Sequence, residues 1–111
     1  NRISMIIYNV TVNIEESIHA EWLEWIKNHI PQVLATGKFI DARLTKVLVE
    51  EEMGGTTYAI QYKAKSREAL ESYYQNDAAD LKQEGFIKFA DKMLAFRTEL
   101  EIIDEYTVTN H

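Results

Sequence analysis

The sequence contains no cysteine and a single proline among its 111 residues. Without cysteine, disulfide bonds, thiolate metal sites and a cysteine nucleophile are excluded. No apolar run approaches the ~20 residues that a membrane-spanning helix needs, and no signal-peptide pattern follows the first methionine. We therefore expect a soluble chain in the cytoplasm, without a membrane partner.

Basic residues are also scarce, since 12 Lys and Arg stand against 18 Asp and Glu, a net charge of −6. They form no cluster, so nucleic acid would be repelled and is excluded as a partner. Apolar residues make up 46% of the chain, which favours an ordered fold, and the length suits one domain. No P-loop, dinucleotide-binding fingerprint, nucleophile elbow or zincin motif is present.

The segment Trp22–Phe39 is the one that the rest of the chain is organised around. At about 100° per residue, one helical stripe collects Ile18, Trp22, Trp25, Ile26, His29 and Val33. This spacing predicts a helix packed by one face, with His29 directed at the core. Pro31 predicts a kink or break at His29–Ile30, and Gly37 suits the left-handed position after the helix end.

Four segments have the alternation of strands: Met5–Asn13, Lys38–Glu51, Thr56–Ala64 and Leu94–Ile103. Met53-Gly54-Gly55 predicts a hairpin turn between the second and third. Asn13 is the expected N-cap of the first helix and Ser66 that of the second, which bends at Asn76–Asp77 and ends a segment at Gly85. The order β-α-β-β-α-β predicts an α+β, ferredoxin-like fold, with a four-stranded antiparallel sheet carrying its helices on one face.

The sheet face opposite the helices is expected to mix charged and apolar side chains. We assign Leu94, Phe96, Leu100 and Ile102 of the last strand to the helix side. Arg97 and Glu99 are assigned to the opposite face, together with Asn9 and Arg43. Such mixed polarity favours a self-complementary homodimer interface, and the alternative is a solvated face. A bulge in the second strand would exchange its two faces.

Three stretches resemble a known family: Met5–Val12, His29–Phe39 (His-Ile-Pro-Gln-Val-Leu-Ala-Thr-Gly-Lys-Phe) and Phe96–Glu101. Together they look like an uncharacterised family of short bacterial proteins, described as a domain of unknown function akin to the dimeric α+β barrel proteins. The resemblance implies one ferredoxin-like domain over residues 5–103, a tail over 104–111 and a sheet-to-sheet dimer. It implies no established activity. The first four residues are left outside the domain.

His29 is the first candidate for chemistry, as a general base with Tyr8 and Tyr58 as hydrogen-bonding partners. The alternative is a core histidine satisfied by a tyrosine hydroxyl or a freed carbonyl. His19 and His29 do not have the i, i+4 spacing of metal ligands, so no metal is expected. Haem-degrading members of the wider superfamily carry their histidine on the second helix, but residues 66–92 contain none, so no cofactor is expected either.

Asn9, Arg43, Arg97 and Glu99 form the second candidate, as residues of a polar barrel cavity that binds an anion or a small polar ligand. The alternative is that these charges pair across the sheet or a dimer interface.

Two functions are consistent with these patterns. The first is a small homodimeric module that binds a small molecule or a protein partner. The second is a cofactor-independent enzyme of the monooxygenase or isomerase type, which uses His29 and a tyrosine as acid and base. A third hypothesis is a purely interactive protein, whose partner binds the tail or an edge strand. The superfamily also includes lactone isomerases and ligand-sensing modules, and fold alone does not choose among them.

Overall fold

A computed structural model describes residues 5–52 and 54–109. The elements follow in the order β1 (Met5–Ile14), α1 (His19–Leu34), β2 (Phe39–Lys46), β3 (Thr56–Ala64), α2 (Arg67–Asn76), α3 (Ala78–Phe89) and β4 (Met93–Ile102). Short 3₁₀ turns precede α1 and β4. Asn1–Ser4, Met53 of the expected hairpin and the last two tail residues lie outside the described residues.

The four strands form one antiparallel sheet in the order β2-β3-β1-β4, which confirms the predicted α+β arrangement. Alternate side chains of β1 and β3 enter the core, because successive residues of a strand point to opposite faces. They are Ile6, Tyr8, Val12, Ile14, Tyr58, Ile60, Tyr62 and Ala64. Buried residues of the three helices complete the core on this side, here called the helix side.

The β2–β3 connection is longer than predicted, because β2 ends at Lys46 rather than at Glu51. Strand β2 does contain an irregularity of the kind considered above, since its pairing register with β3 shifts between Phe39 and Asp41. Gly55 has a φ of +76°, and a Cβ there would lie 2.6 Å from the carbonyl oxygen of Ile14, so this position requires glycine.

Helix α1 buries the predicted stripe, with Trp22, Ile26 and Val33 in the core. A break before Pro31 is wrong, since α1 continues through the proline to Leu34 without the hydrogen bond that the missing N–H would donate, whereas a kink there stays a prediction. Gly37 adopts the expected left-handed backbone, with a φ of +80°.

The predicted helix caps have mixed outcomes. Asn13 belongs to β1, and its amide donates to Thr57 Oγ1 at 3.2 Å, so it does not cap α1. Ser66 does cap α2, because its hydroxyl accepts from the Ala69 backbone N–H at 3.0 Å. The bend at Asn76–Asp77 is confirmed as the boundary between α2 and α3, whereas Gly85 lies inside α3 rather than at an end.

The predicted faces of β4 are wrong. Arg97 pairs with Val10 of β1 and Glu99 pairs with Tyr8, so both charged side chains lie on the helix side. There Arg97 donates a hydrogen bond to the hydroxyl of Tyr8, and Glu99 accepts one from the hydroxyl of Tyr74. The apolar residues of β4 face the other way, and Leu94, Phe96 and Leu100 are 57%, 60% and 44% exposed.

None of the helices in residues 5–52 and 54–109 is both long enough and apolar enough to cross a membrane.

Candidate functional site

A cavity of about 50 Å³ lies between α1 and the helix side of the sheet. Mostly aromatic and apolar side chains from five elements line it: Tyr8, Val10 and Val12 of β1, Trp22, Trp25, Ile26 and His29 of α1, Ile60 and Tyr62 of β3, Tyr73 of α2, and Met93 of β4. A space of this size holds a few water-sized groups, so it suits one end of a small ligand.

Two periodicities bring these residues together. Positions 22, 25, 26 and 29 lie on one face of α1, because a helix repeats about every 3.6 residues. Positions 8, 10 and 12 of β1 point to one face of the sheet, because a strand repeats every two. The cavity therefore forms where the helical stripe crosses the central strands.

His29 is half-buried at the cavity, and its ring stacks on Trp25 with 4.4 Å between centroids and 19° between planes. Its Nδ1 atom is buried and has no hydrogen-bond partner among the described residues. Burial is the main reason that the pKa of His29 lies below 6.5, and nearby Arg97 lowers it further, while Glu84 acts in the opposite direction. The imidazole is therefore neutral at pH 7 and can accept a proton.

Tyr8 is the centre of an aromatic cluster beside the cavity. The ring centroids of Tyr62 and Tyr73 lie 5.9 and 5.8 Å from that of Tyr8. The hydroxyl of Tyr8 accepts a hydrogen bond of 3.0 Å from Arg97 Nε. Burial raises the pKa of all three tyrosines, so each keeps its proton at neutral pH.

Trp22 contributes a buried donor to the same wall. Its side chain is fully buried, and its indole N–H has no acceptor among the described residues. A buried polar group left without a partner costs about 1–3 kcal/mol, and native structures contain few of them. Ordered water is the usual partner of such a group, and a ligand atom that accepts a hydrogen bond can take its place.

The structure brings together two of the three predicted catalytic residues. His29 and Tyr8 line the same cavity, whereas Tyr58 does not. The hydroxyl of Tyr58 is hydrogen-bonded to His19 Nε2 instead. A role for His29 and Tyr8 in catalysis stays a prediction.

The four predicted ligand-binding residues are divided between the two faces of the sheet. Asn9 bonds to Thr11 and Thr98 on the open face, and Arg43 borders a depression there of only about 10 Å³. Arg97 lies on the helix side beside Tyr8. Glu99 accepts from Arg67 at 2.8 Å and from Tyr74 at 2.6 Å, and the hydrogen bond from Tyr74, followed by that from Arg67, holds its pKa below the usual range.

Sequence reasoning missed Trp22 and Tyr73 as residues of the site and placed Arg97 on the wrong face. Trp22 could have been predicted as a site residue from its spacing to His29, since both residues fall on one helical stripe. Tyr73 comes from α2, whose position against β1 depends on tertiary packing. The described residues contain no group of three His, Cys, Asp or Glu side chains that could hold a metal ion.

The low pKa of His29 has a consequence for stability. In the unfolded chain His29 takes up a proton near pH 6.5, whereas the folded chain resists it until lower pH. Lowering the pH through 6.5 therefore favours the unfolded state. We expect wild type to lose more stability than His29→Gln over this interval, measured as the free energy of unfolding in urea.

The interval above pH 7 is the internal control, because His29 is neutral there in both states and the two proteins should change in parallel. An equal loss of stability in both proteins below pH 6.5 would show that His29 is protonated as readily in the folded chain as in the unfolded one.

Solved structures with the same fold come from several sources. A protein from an uncultured marine organism, described as dimeric and ferredoxin-like, has a TM-score of 0.69 at 12% identity, covering 93% of this chain and 99% of its own. A Bacteroides thetaiotaomicron protein of unknown function, described as a possible oxidoreductase, has 0.65 at 19%, covering 91% and 100%. A Nitrosomonas europaea protein provisionally named an antibiotic biosynthesis monooxygenase has 0.65 at 11%, covering 98% of each.

At these identities the likeness shows the fold alone. No curated protein matches the sequence. A family model does match, over residues 5–103, and it is described as a domain of unknown function, DUF4286. The chain belongs to this family.

Proposed function

We propose that the chain is a homodimeric module that binds a small molecule in the cavity between α1 and the sheet. The observation that carries the proposal is a pair of buried nitrogen atoms in its wall, Trp22 Nε1 and His29 Nδ1, for which the described part of the chain supplies no hydrogen-bond partner. Mostly apolar walls with a few directed polar groups are typical of small-molecule sites. Residues 5–103 form the proposed binding unit.

Gly85 of α3 gives a way to test the cavity without removing any of its polar groups. A Cβ at this position would lie 2.9 Å from Trp25 Cη2 and 3.6 Å from Met93 Cε. The first distance is too short and the second is an ordinary van der Waals contact, so Gly85→Ala pushes the Trp25 ring, which lines the cavity, and narrows the cavity. We expect affinity for any cavity ligand to fall about tenfold, since overpacking a filled site costs about 1–3 kcal/mol.

The measurement is a ligand-observed NMR screen with neutral, cationic and anionic small molecules, followed by titration of the hits. Gln83→Ala, an exposed position on the same helix, is the matched control and should bind as wild type does. If no small molecule of any charge binds, or if the hits bind equally well to Gly85→Ala, the binding function is wrong.

The open face of the sheet supports the homodimer. Leu94, Phe96 and Leu100 form an exposed apolar row on β4, and a row of this kind is a common mark of an interface. Asp41 stands beside Arg43 and Lys63 on the same face, so charges of both signs are available for self-complementary pairing. Proteins of the same fold that are described as dimeric add to this support.

The tail begins at the same face. The carboxylate oxygen Oε2 of Glu105 lies 3.8 Å from Lys63 Nζ. The side chains of Tyr106 and Val108 are 86% and 88% exposed. The proposed interface therefore extends from β4 to the first residues of the tail.

Phe96→Glu tests the dimer. It places a charge at the centre of the apolar row, where an unpaired charge would have to be desolvated, so we expect a dimer to dissociate into monomers. Ile87→Glu is the matched control, because Ile87 is 74% exposed but lies on α3. Sedimentation equilibrium gives the mass of each. A monomeric wild type, or a dimer unaffected by Phe96→Glu, would contradict the proposed interface.

A second candidate function is acid–base catalysis without a cofactor. It is favoured by one observation, the neutral His29 imidazole in the same cavity as the Tyr8 hydroxyl. A neutral imidazole can take the proton of a phenolic substrate, as a monooxygenase or isomerase of this kind requires.

Oxygen uptake with hydroquinone tests this second candidate. We expect His29→Gln to lower the rate about a hundredfold, the usual size of a general-base contribution, and to leave binding of the hydroquinone within about threefold. His19→Gln is the control, since His19 is bonded to Tyr58 outside the cavity. Equal rates for wild type and His29→Gln would remove the enzymatic hypothesis.

A further inference from the structure

The polar groups at the cavity are mainly hydrogen-bond donors. Trp22 offers an indole N–H, Tyr62 and Tyr73 offer hydroxyls, and no Asp or Glu is among the described residues that line the space. Donors need acceptors, and residues 5–52 and 54–109 supply none for these groups. The donor set therefore indicates what a ligand must bring, which is oxygen atoms with lone pairs.

The hydroxyls of Tyr62 and Tyr73 are free to donate. Neither makes a hydrogen bond within residues 5–52 and 54–109, whereas Tyr8 already accepts from Arg97 and Tyr74 already donates to Glu99. Burial raises the pKa of Tyr62 and Tyr73, so both remain protonated at neutral pH. Arg97 lies at the edge of this cluster, because its Nε donates to the hydroxyl of Tyr8, whose ring centroid is 5.9 Å from that of Tyr62 and 5.8 Å from that of Tyr73.

Arg97 supplies a positive charge that no carboxylate of the described residues neutralises through an ion pair. Its neighbour on the helix side, Glu99, is engaged by Arg67 and Tyr74. An anion bound beside Arg97 would be attracted to this charge.

Building on the proposed binding function, we infer that the cavity selects a small carboxylic acid, whose carboxylate is held by Arg97 and the hydroxyls of Tyr62 and Tyr73. Guanidinium and hydroxyl donors match the planar oxygens of a carboxylate. The apolar part of the acid lies in the cavity of about 50 Å³ against Trp25 and Met93. The carboxylate lies at the mouth of the cavity, beside the exposed Arg97.

The experiment compares acids with their neutral amides. Benzoate is paired with benzamide and butyrate with butyramide, because each pair has the same shape and differs in charge. Binding is followed by NMR titration of the full chain. We expect each acid to bind about tenfold tighter than its amide, the usual scale of a charge-assisted hydrogen bond.

Three variants locate the contact. Arg97→Met should lower acid affinity about tenfold and leave amide affinity unchanged, because it removes the charge and keeps the length of the side chain. Lys27→Met, at an exposed position of α1, is the matched control and should change neither. Tyr62→Phe and Tyr73→Phe should each weaken acid binding about threefold without loss of folding stability, since neither hydroxyl has a partner to lose.

The outcomes separate the two proposals. Amides that bind as tightly as acids, or an Arg97→Met variant that weakens both ligands alike, would overturn the carboxylate preference and leave the binding function standing. Acids that do not bind while neutral or cationic molecules do would have the same effect. Failure of every molecule to bind would overturn both.

Discussion

The pairing register of β1 with β4 is the constraint on which the site depends. Because Arg97 pairs with Val10, which points to the helix side, the face to which each residue of β4 points is fixed. Its charged side chains turn towards the helices and its apolar side chains turn outward. A slip of one residue would turn Phe96 to the helix side and Arg97 to the open face, so the charge beside Tyr8 and the apolar outer row would be lost together.

Much of the fold follows from local patterns in the sequence. The alternation of β1 and β3, the stripe of α1 and the Ser66 cap each have a local physical cause, and each is present. The break at Pro31 is absent because the missing hydrogen bond is a cost that packing of the α1 stripe can outweigh. The end of β2 at Lys46 reflects where pairing with β3 stops, which alternation along one strand does not reveal.

The site was less predictable, since it depends on partners distant in sequence. His29 was identifiable as an inward residue from the helical stripe alone. The faces of β4 were not, because hydrophobicity favours burying Phe96, while the helix side at this edge of the sheet offers hydroxyls that bond Arg97 and Glu99 instead. The apolar residues of an edge strand such as β4 can point to the core or away from it, and only the pairing register shows which face they occupy.

Strand β4 carries Arg97 on one side and Phe96 on the other, and a single peptide unit joins the two residues. If the cavity binds a ligand and the open face forms a dimer, as we propose, both events restrain this one strand. The two would then be thermodynamically linked, because whatever orders the strand for one event lowers the entropy still to be lost in the second, and the coupling is reciprocal.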